Sequence, residues 1–181
     1  MRARSGVAQL LPAEGRLTER HPASRLARRS HSIGLMKPKI LVPFDFSDTA
    51  ERALAWAADL QRTTGASPLQ LVHAITSRPS GATEVPLDAL LPNKDEIAEL
   101  ERTMVEKARR CEAAATAAVW VRASSVGDII LDAAKDLGAE LIVMGSHGRT
   151  GVKRLILGSV AEHVLRHAGC PVVTVRAAHP K

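Results

Sequence analysis

The sequence predicts an α/β domain built as a doubly wound, five-stranded parallel sheet with helices on both faces. Three observations lead there: five short apolar runs, a helix-patterned segment between each consecutive pair, and glycine, proline or serine at the joins. A run that is apolar on both sides suits a strand covered by helices above and below, and parallel strands need crossovers of that length. Each crossover must also cover a hydrophobic face, which puts helices on both sides.

The first run is Ile40-Leu41-Val42-Pro43-Phe44. Ser47 then offers an N-cap, and Ala50, Ala53, Leu54, Ala57, Ala58 and Leu60 form one helical stripe that stops at Gly65. Leu69 to Ile75 reads as the second strand. Residues 76 to 93, with Pro79, Gly81, Pro86 and Pro92, read as a long loop. A longer helix follows, with Ile97, Leu100, Met104, Ala108 and Cys111 near heptad spacing, and Val119-Trp120-Val121 centres the third strand. Ser125 caps a helix carrying Ile129, Ile130, Ala133, Ala134 and Leu137, which Gly138 ends. Leu141 to Met144 is the fourth strand. Beyond a glycine-punctuated loop, Ser159 opens a helix through Val160, Val164 and Leu165 to Gly169, and Val172 to Val175 closes the sheet.

The composition agrees with one such domain. A length of 181 residues leaves little over after one domain of roughly 100–200. Forty-five per cent hydrophobic residues against 24% charged supply a packed interior and exclude a chain disordered throughout. Aromatics at 2%, with no Tyr, leave only Trp56, Trp120, Phe44 and Phe46 for ring stacking, too few for a protein that grips single strands or sugars by that means. No apolar run approaches the ~18–20 residues of a membrane span, so a soluble cytoplasmic protein without membrane association is expected. Cys111 and Cys170 have no metal or redox spacing and read as small buried hydrophobes.

The net charge of +6 is distributed unevenly. Residues 1–35 hold seven arginines against two glutamates, which leaves +1 for residues 36–181. The globular part has no nucleic-acid-binding field of its own, and nucleic acid is not an expected partner. Residues 1–35 show no sustained apolar period and read as a disordered extension. The stretch faintly resembles a transit peptide, yet Met36, directly before Lys37-Pro38-Lys39 and the first strand, is the preferred natural start. The domain is thus assigned to residues 36–181.

In doubly wound sheets ligands bind beyond the carboxyl ends of the strands where strand order reverses. The loop after the fourth strand runs from Gly145 through Gly148 to Gly158-Ser159. Backbone without Cβ approaches an anion closely, and the amides of a helix starting at Ser159 favour phosphate. Ser159 is expected to cap that helix and to offer its hydroxyl to a phosphate oxygen, although such turns also exist merely to turn. GxxxxGK[ST] is absent, and the exit of the first strand, Pro43-Phe44-Asp45-Phe46-Ser47, lacks GxGxxG; P-loop and NAD-type readings are therefore set aside. Asp45, at a strand's carboxyl end, suits a ribose hydroxyl or a phosphate-bound Mg²⁺, or else caps the following helix.

Gly145, Gly148, Gly158 and Ser159 also meet the pattern G-x2-G-x9-G-[ST] at every spacing, and in this the chain resembles the ATP-binding universal stress proteins. Ile40 to Ser47, Leu71 to Ala74 and Cys170 to Val175 resemble that family's first, second and closing strands, so the likeness runs over about residues 38 to 176. The resemblance implies strand order 3-2-1-4-5 and a homodimer through the last strand. It implies that Pro43 and Asp45 lie against ribose and adenine, that backbone near Ala74 reads the adenine edge, and that Met144 and Gly145 border the ribose. Gly148, Gly158, Ser159 and Val160 would hold the phosphates of ATP, or of ADP or AMP, with Mg²⁺ carried on the phosphates and Asp45 within reach.

Arg149, Lys153 and Arg154 lie in the nine-residue excursion and offer charge to a triphosphate. His147 has the chemistry of a general base but no identifiable orienting partner, and no catalytic residue is assigned. His73 reads as a core or loop-edge histidine. His163 and His167, at i, i+4, read as a solvated helix face because no third metal ligand is in reach. Two functions follow: a stress-response switch governed by ATP occupancy, or a slow Mg-dependent ATPase or self-phosphorylating enzyme using the same pocket, since phosphoryl transfer rests largely on positioning and charge. Gly158→Val is expected to abolish nucleotide binding with the fold intact.

Overall fold

A computed structural model describes residues 37–77, 91–148 and 157–176. The elements are β1 (Ile40–Pro43), α1 (Asp48–Thr64), β2 (Leu69–Thr76), α2 (Lys94–Arg110), β3 (Ala115–Arg122), α3 (Val126–Asp136), β4 (Leu141–Gly145), α4 (Ser159–His167) and β5 (Val172–Val175). The expected extension over residues 1–35 and most of the expected loop over 76–93 lie outside the described residues.

The five strands form one parallel sheet in the order β3-β2-β1-β4-β5. β1 sits at the centre with all four residues buried, and the chain winds away from it in both directions, so the order reverses between β1 and β4. The sheet has a core on each face. On one side Ile40, Val42, Leu69, Leu71 and Val143 pack against Ala53, Leu54, Ala57 and Ala58 of α1 and Met104 and Ala108 of α2. On the other, Leu41, Val72, Ile142 and Met144 meet Ile130 and Ala133 of α3 and Ala161 and Val164 of α4. Alternation along each strand sends successive side chains to opposite cores.

The helices begin and end on the signals in the sequence. Ser47, Asn93 and Ser125 cap α1, α2 and α3 with their side chains, and Asn93 forms a reciprocal capping box with Glu96. Gly65 takes the left-handed φ of 66° that closes α1, and Gly138 at 64° does the same behind α3. The expected start of α4 moves by one residue: Gly158 is its N-cap, and Ser159 is the first helical residue and caps nothing. Cys111 and Cys170 are half-buried rather than buried, and both are free thiols. Desolvation pushes each thiol above its ordinary value.

The two outer strands differ. On β3, Glu101 of α2 accepts a hydrogen bond from the outward-facing amide of Val119 at 3.0 Å. Among the described residues no strand lies outside β5, and its four residues are all half-buried. No described helix is long and apolar enough to cross a membrane.

Candidate functional site

The residues nominated by the loops after the first and fourth strands converge. Pro43, Asp45, Ala74, Met144, Gly145, Gly148, Gly158, Ser159 and Val160 all line one cavity at the carboxyl end of the sheet, where the strand order reverses. Arg149, Lys153 and Arg154 lie outside the described residues. The lining also includes Val126 and Ile130 of α3, Val72 of β2, Ala161 of α4, and Ser146 and His147. Sequence reading placed Val72 in a strand and Ile130 on a buried helix stripe, and did not single out Val126 or Ala161. All four belong to or pack against one core of the sheet, and the cavity is the place where that core opens.

The β1–α1 turn is built from its own side chains. Asp45 Oδ1 accepts from the amide of Ser47 at 3.1 Å and from its hydroxyl at 2.6 Å. Ser47 Oγ accepts in turn from the amide of Ala50 at 3.3 Å, which caps α1. Asp45 thus both faces the cavity and braces a helix start, combining the two roles weighed for it. Phe46, between them, has a φ of 64°, a costly conformation for a bulky residue, and its ring packs edge-on against Phe44 and His73. His73 donates from Nδ1 to the carbonyl of Phe44 at 2.7 Å, which ties the end of β1 to β2.

The β4–α4 turn relies on bare backbone. A Cβ on Gly145 would lie 2.6 Å from Thr49 Oγ1 and 3.0 Å from Thr49 backbone carbon, and one on Gly148 would lie 2.8 Å from Asp45 Oδ2. One on Gly158 would sit 3.2 Å from the carbonyl oxygen of Ser146 and 3.4 Å from His147 Cα. Close packing against Thr49 therefore requires Gly145 whatever the cavity holds, whereas a side chain at Gly148 would displace the Asp45 carboxylate and one at Gly158 would crowd the Ser146 carbonyl. Gly158→Val consequently crowds the Ser146 carbonyl as well as filling the cavity. Ser146 organises the turn: its amide donates to Val175 and its carbonyl accepts from Gly158, each at 2.8 Å. The Thr49 hydroxyl donates to the carbonyl of His147, joining the two turns.

His147 has an orienting neighbour that the sequence did not reveal, since its Nδ1 lies 2.9 Å from Ser146 Oγ. Its Nε2 is shielded from solvent without a hydrogen-bond partner among the described residues. The reading of His163 as a solvated residue is corrected: it donates from Nε2 to Asp128 Oδ1 on α3 at 2.8 Å. His167 stacks on it with ring centres 4.5 Å apart. Among the described residues no group of three or more His, Cys, Asp or Glu could hold a metal ion.

What most distinguishes the cavity is its helix terminus. Of the four described helices, α4 alone starts without a side-chain cap, and it is Ser159, Val160 and Ala161 of its first turn that line the cavity. First-turn amides have no partner within the helix, and the positive end of the helix dipole lies with them. The arrangement is suited to an anion. Apolar walls from Val72, Met144, Val126 and Ile130 adjoin it and offer a surface for a flat, uncharged ring.

Comparison with known proteins places the chain among universal stress proteins. The model of the universal stress protein family matches residues 36–176. A universal stress protein of Methanocaldococcus jannaschii is 31% identical over 159 residues, which cover 80% of this chain and 98% of that one. In structure, the universal stress protein UspA of Lactobacillus plantarum matches with a TM-score of 0.62 at 26% identity, over 78% of this chain and 99% of the other. A universal stress protein of Archaeoglobus fulgidus, solved in complex with dAMP, matches with a TM-score of 0.55 at 30% identity, over 78% and 99%.

Proposed function

Because the chain belongs to the universal stress protein family, we propose that it binds an adenine nucleotide in the cavity between the ends of β1 and β4, and that occupancy by ATP acts as its stress-response switch. The observation that carries this reading is the uncapped start of α4 facing the cavity. Its amides complement phosphate, while Val72, Ala74 and Met144 offer apolar surface for the base. The dAMP complex of the Archaeoglobus fulgidus relative supports the choice of an adenine nucleotide, with ATP preferred here and ADP or AMP as alternatives.

The residue roles follow from position. Asp45 faces the ribose side with Pro43; Met144 and Gly145 border the ribose; Gly148, Gly158, Ser159 and Val160 surround the phosphates. Magnesium fits as an ion brought by the phosphates. Asp45 Oδ1 is taken up by Ser47, so one carboxylate oxygen remains for it, and Mg²⁺ is ordinarily held by one or two carboxylates together with substrate phosphates. Residues 36–181 form the nucleotide-binding domain, the preceding residues are an extension of the chain, and two copies pair through β5 in the cytoplasm.

The test is acid extraction of the freshly purified protein, with chromatography and mass detection of released nucleotide before and after hours with Mg²⁺. Intact ATP near one per chain is the expected result. Progressive conversion to ADP would make the protein a slow ATPase or a self-phosphorylating enzyme instead. A cavity that is empty and refuses added ATP would overturn the reading.

A further inference from the structure

Building on the nucleotide reading above, we propose that His163 is a positioning residue for that site: its protonation locks α4, and with it the helix start facing the cavity, against α3 and so tightens nucleotide binding. The two helices supply facing walls, Val126 and Ile130 from α3 and Ser159, Val160 and Ala161 from α4. Their relative placement sets where the amides of α4 stand.

His163 spans the two walls. Its ring rests on α3 at Gly127, where an added Cβ would fall 2.6 Å from His163 Cδ2, so the contact exists only because residue 127 has no side chain. Its Nε2–H donates to Asp128 Oδ1 at 2.8 Å, and Asp128 Oδ2 accepts from the Ser125 hydroxyl at 2.6 Å. Ser125 in turn caps α3 by accepting from the amide of Asp128 at 3.1 Å. A continuous chain of bonds therefore links the cap of one cavity helix to the second turn of the other.

With a neutral imidazole this link is a single hydrogen bond, and Asp128 presents an unbalanced negative charge close to a site for phosphate. With a protonated imidazole the link becomes a charge-assisted pair, and the carboxylate is neutralised. Both changes favour an anion at the start of α4, which lies about 6 Å from His163 along the helix at 1.5 Å per residue. The ionisable neighbours are few. From α3 the partner is Asp128. On α4 itself His167 stacks at 4.5 Å and its Nδ1 donates to the carbonyl of His163, while only His163 has a carboxylate partner. Glu162 and Arg166 pair with each other at 2.7 Å, and β5 contains no ionisable residue.

The experiment is calorimetric titration of the full chain with ATP across about pH 5.5 to 8.5, the range in which histidine titrates, for the parent, His163→Gln and Asp128→Asn. Titration of ATP's own phosphate is common to all three and cancels in their ratios. The affinity of the parent relative to His163→Gln should rise about fourfold from the alkaline to the acid end, the scale of a partly screened charge at this distance. Asp128→Asn should move the midpoint of the profile to lower pH. A ratio that stays flat overturns this inference and leaves the nucleotide reading standing, whereas a parent that binds no ATP at any pH overturns both. A second measurement needs no variant fold: the proton resonance of the His163 ring in the parent should titrate at higher pH once ATP saturates the site, by reciprocity of linkage. An unmoved midpoint would overturn the inference.

Discussion

Two helix starts face the same cavity with opposite finishes. At α1, Ser47 and Asp45 supply side-chain oxygens to the turn, so the amides of Ser47 and Ala50 are committed before any ligand arrives. At α4, the cap is a glycine with no side chain to offer, and the turn that leads to it is closed by backbone bonds through Ser146. A terminus completed internally contributes to stability, and one left open keeps its electrostatic potential for something else. The difference separates the scaffold side of the cavity from the side proposed to bind.

The strongest way to break the comparison is at the joint between the two turns. Gly145→Ala drives a Cβ into the side chain and backbone of Thr49 at the start of α1, and is expected to cost about 3 kcal/mol in chemical denaturation, at the upper end for overpacking. Loss below about 1 kcal/mol would mean that the two starts are not packed as rigidly as their contacts imply.

Completing the open terminus should sharpen the contrast. Ser159 is exposed at the first position of α4. In Ser159→Asp, a carboxylate beside the first-turn amides should raise stability by about 0.5 kcal/mol and lower ATP affinity at least about tenfold by occupying and repelling the phosphate position. The two effects have opposite signs, and calorimetric melting with ATP titration of the same variant reads both. Unchanged affinity would place the phosphates elsewhere. At the closed terminus the reverse holds: Ser47→Ala should cost about 1 kcal/mol in thermal or chemical unfolding, through the lost cap.

The start of α3 gives the smallest effect. Hydrogen bonding from the Ser125 hydroxyl first, and from His163 second, holds the Asp128 carboxyl below its ordinary value of 3.8. A group lowered on folding adds stability that is fully present above its unfolded value and is lost as pH falls through its folded one. The loss therefore lies on the acid side of 3.8, and Asp128→Asn should remove a shallow limb there from an acid-unfolding profile while leaving neutral pH to report the missing hydrogen bond to His163.

The contrast also explains what could be read from the chain beforehand. The strands were legible because runs such as Ile40 to Val42 and Leu141 to Met144 are apolar on both sides, and only a sheet covered on both faces buries them. The caps at Ser47 and Ser125 and the stops at Gly65 and Gly138 are local signals, resolved within four residues. The spaced glycines pointed to the right loop, but the physical demand on them is long-range. Thr49 and Asp45 press on Gly145 and Gly148 from about 100 residues away, a separation that no local pattern records. Val126 and Ile130 were hidden for another reason: a helix stripe looks the same whether it meets a filled core or the wall of a cavity. The pairing of His163 with Asp128 depends on how α3 and α4 cross at Gly127, which is a tertiary fact.

The carboxylate of Glu101 on the outer amide of Val119 has a further consequence. A sheet extended by strand addition needs a free ladder at the growing side, and a blocked one on the opposite side makes the process self-terminating. With β3 obstructed at its middle and β5 outermost, a copy that pairs through β5 presents no equivalent second surface for a third. Strand addition to this sheet is thus directed to the β5 side, which agrees with the pairing proposed above.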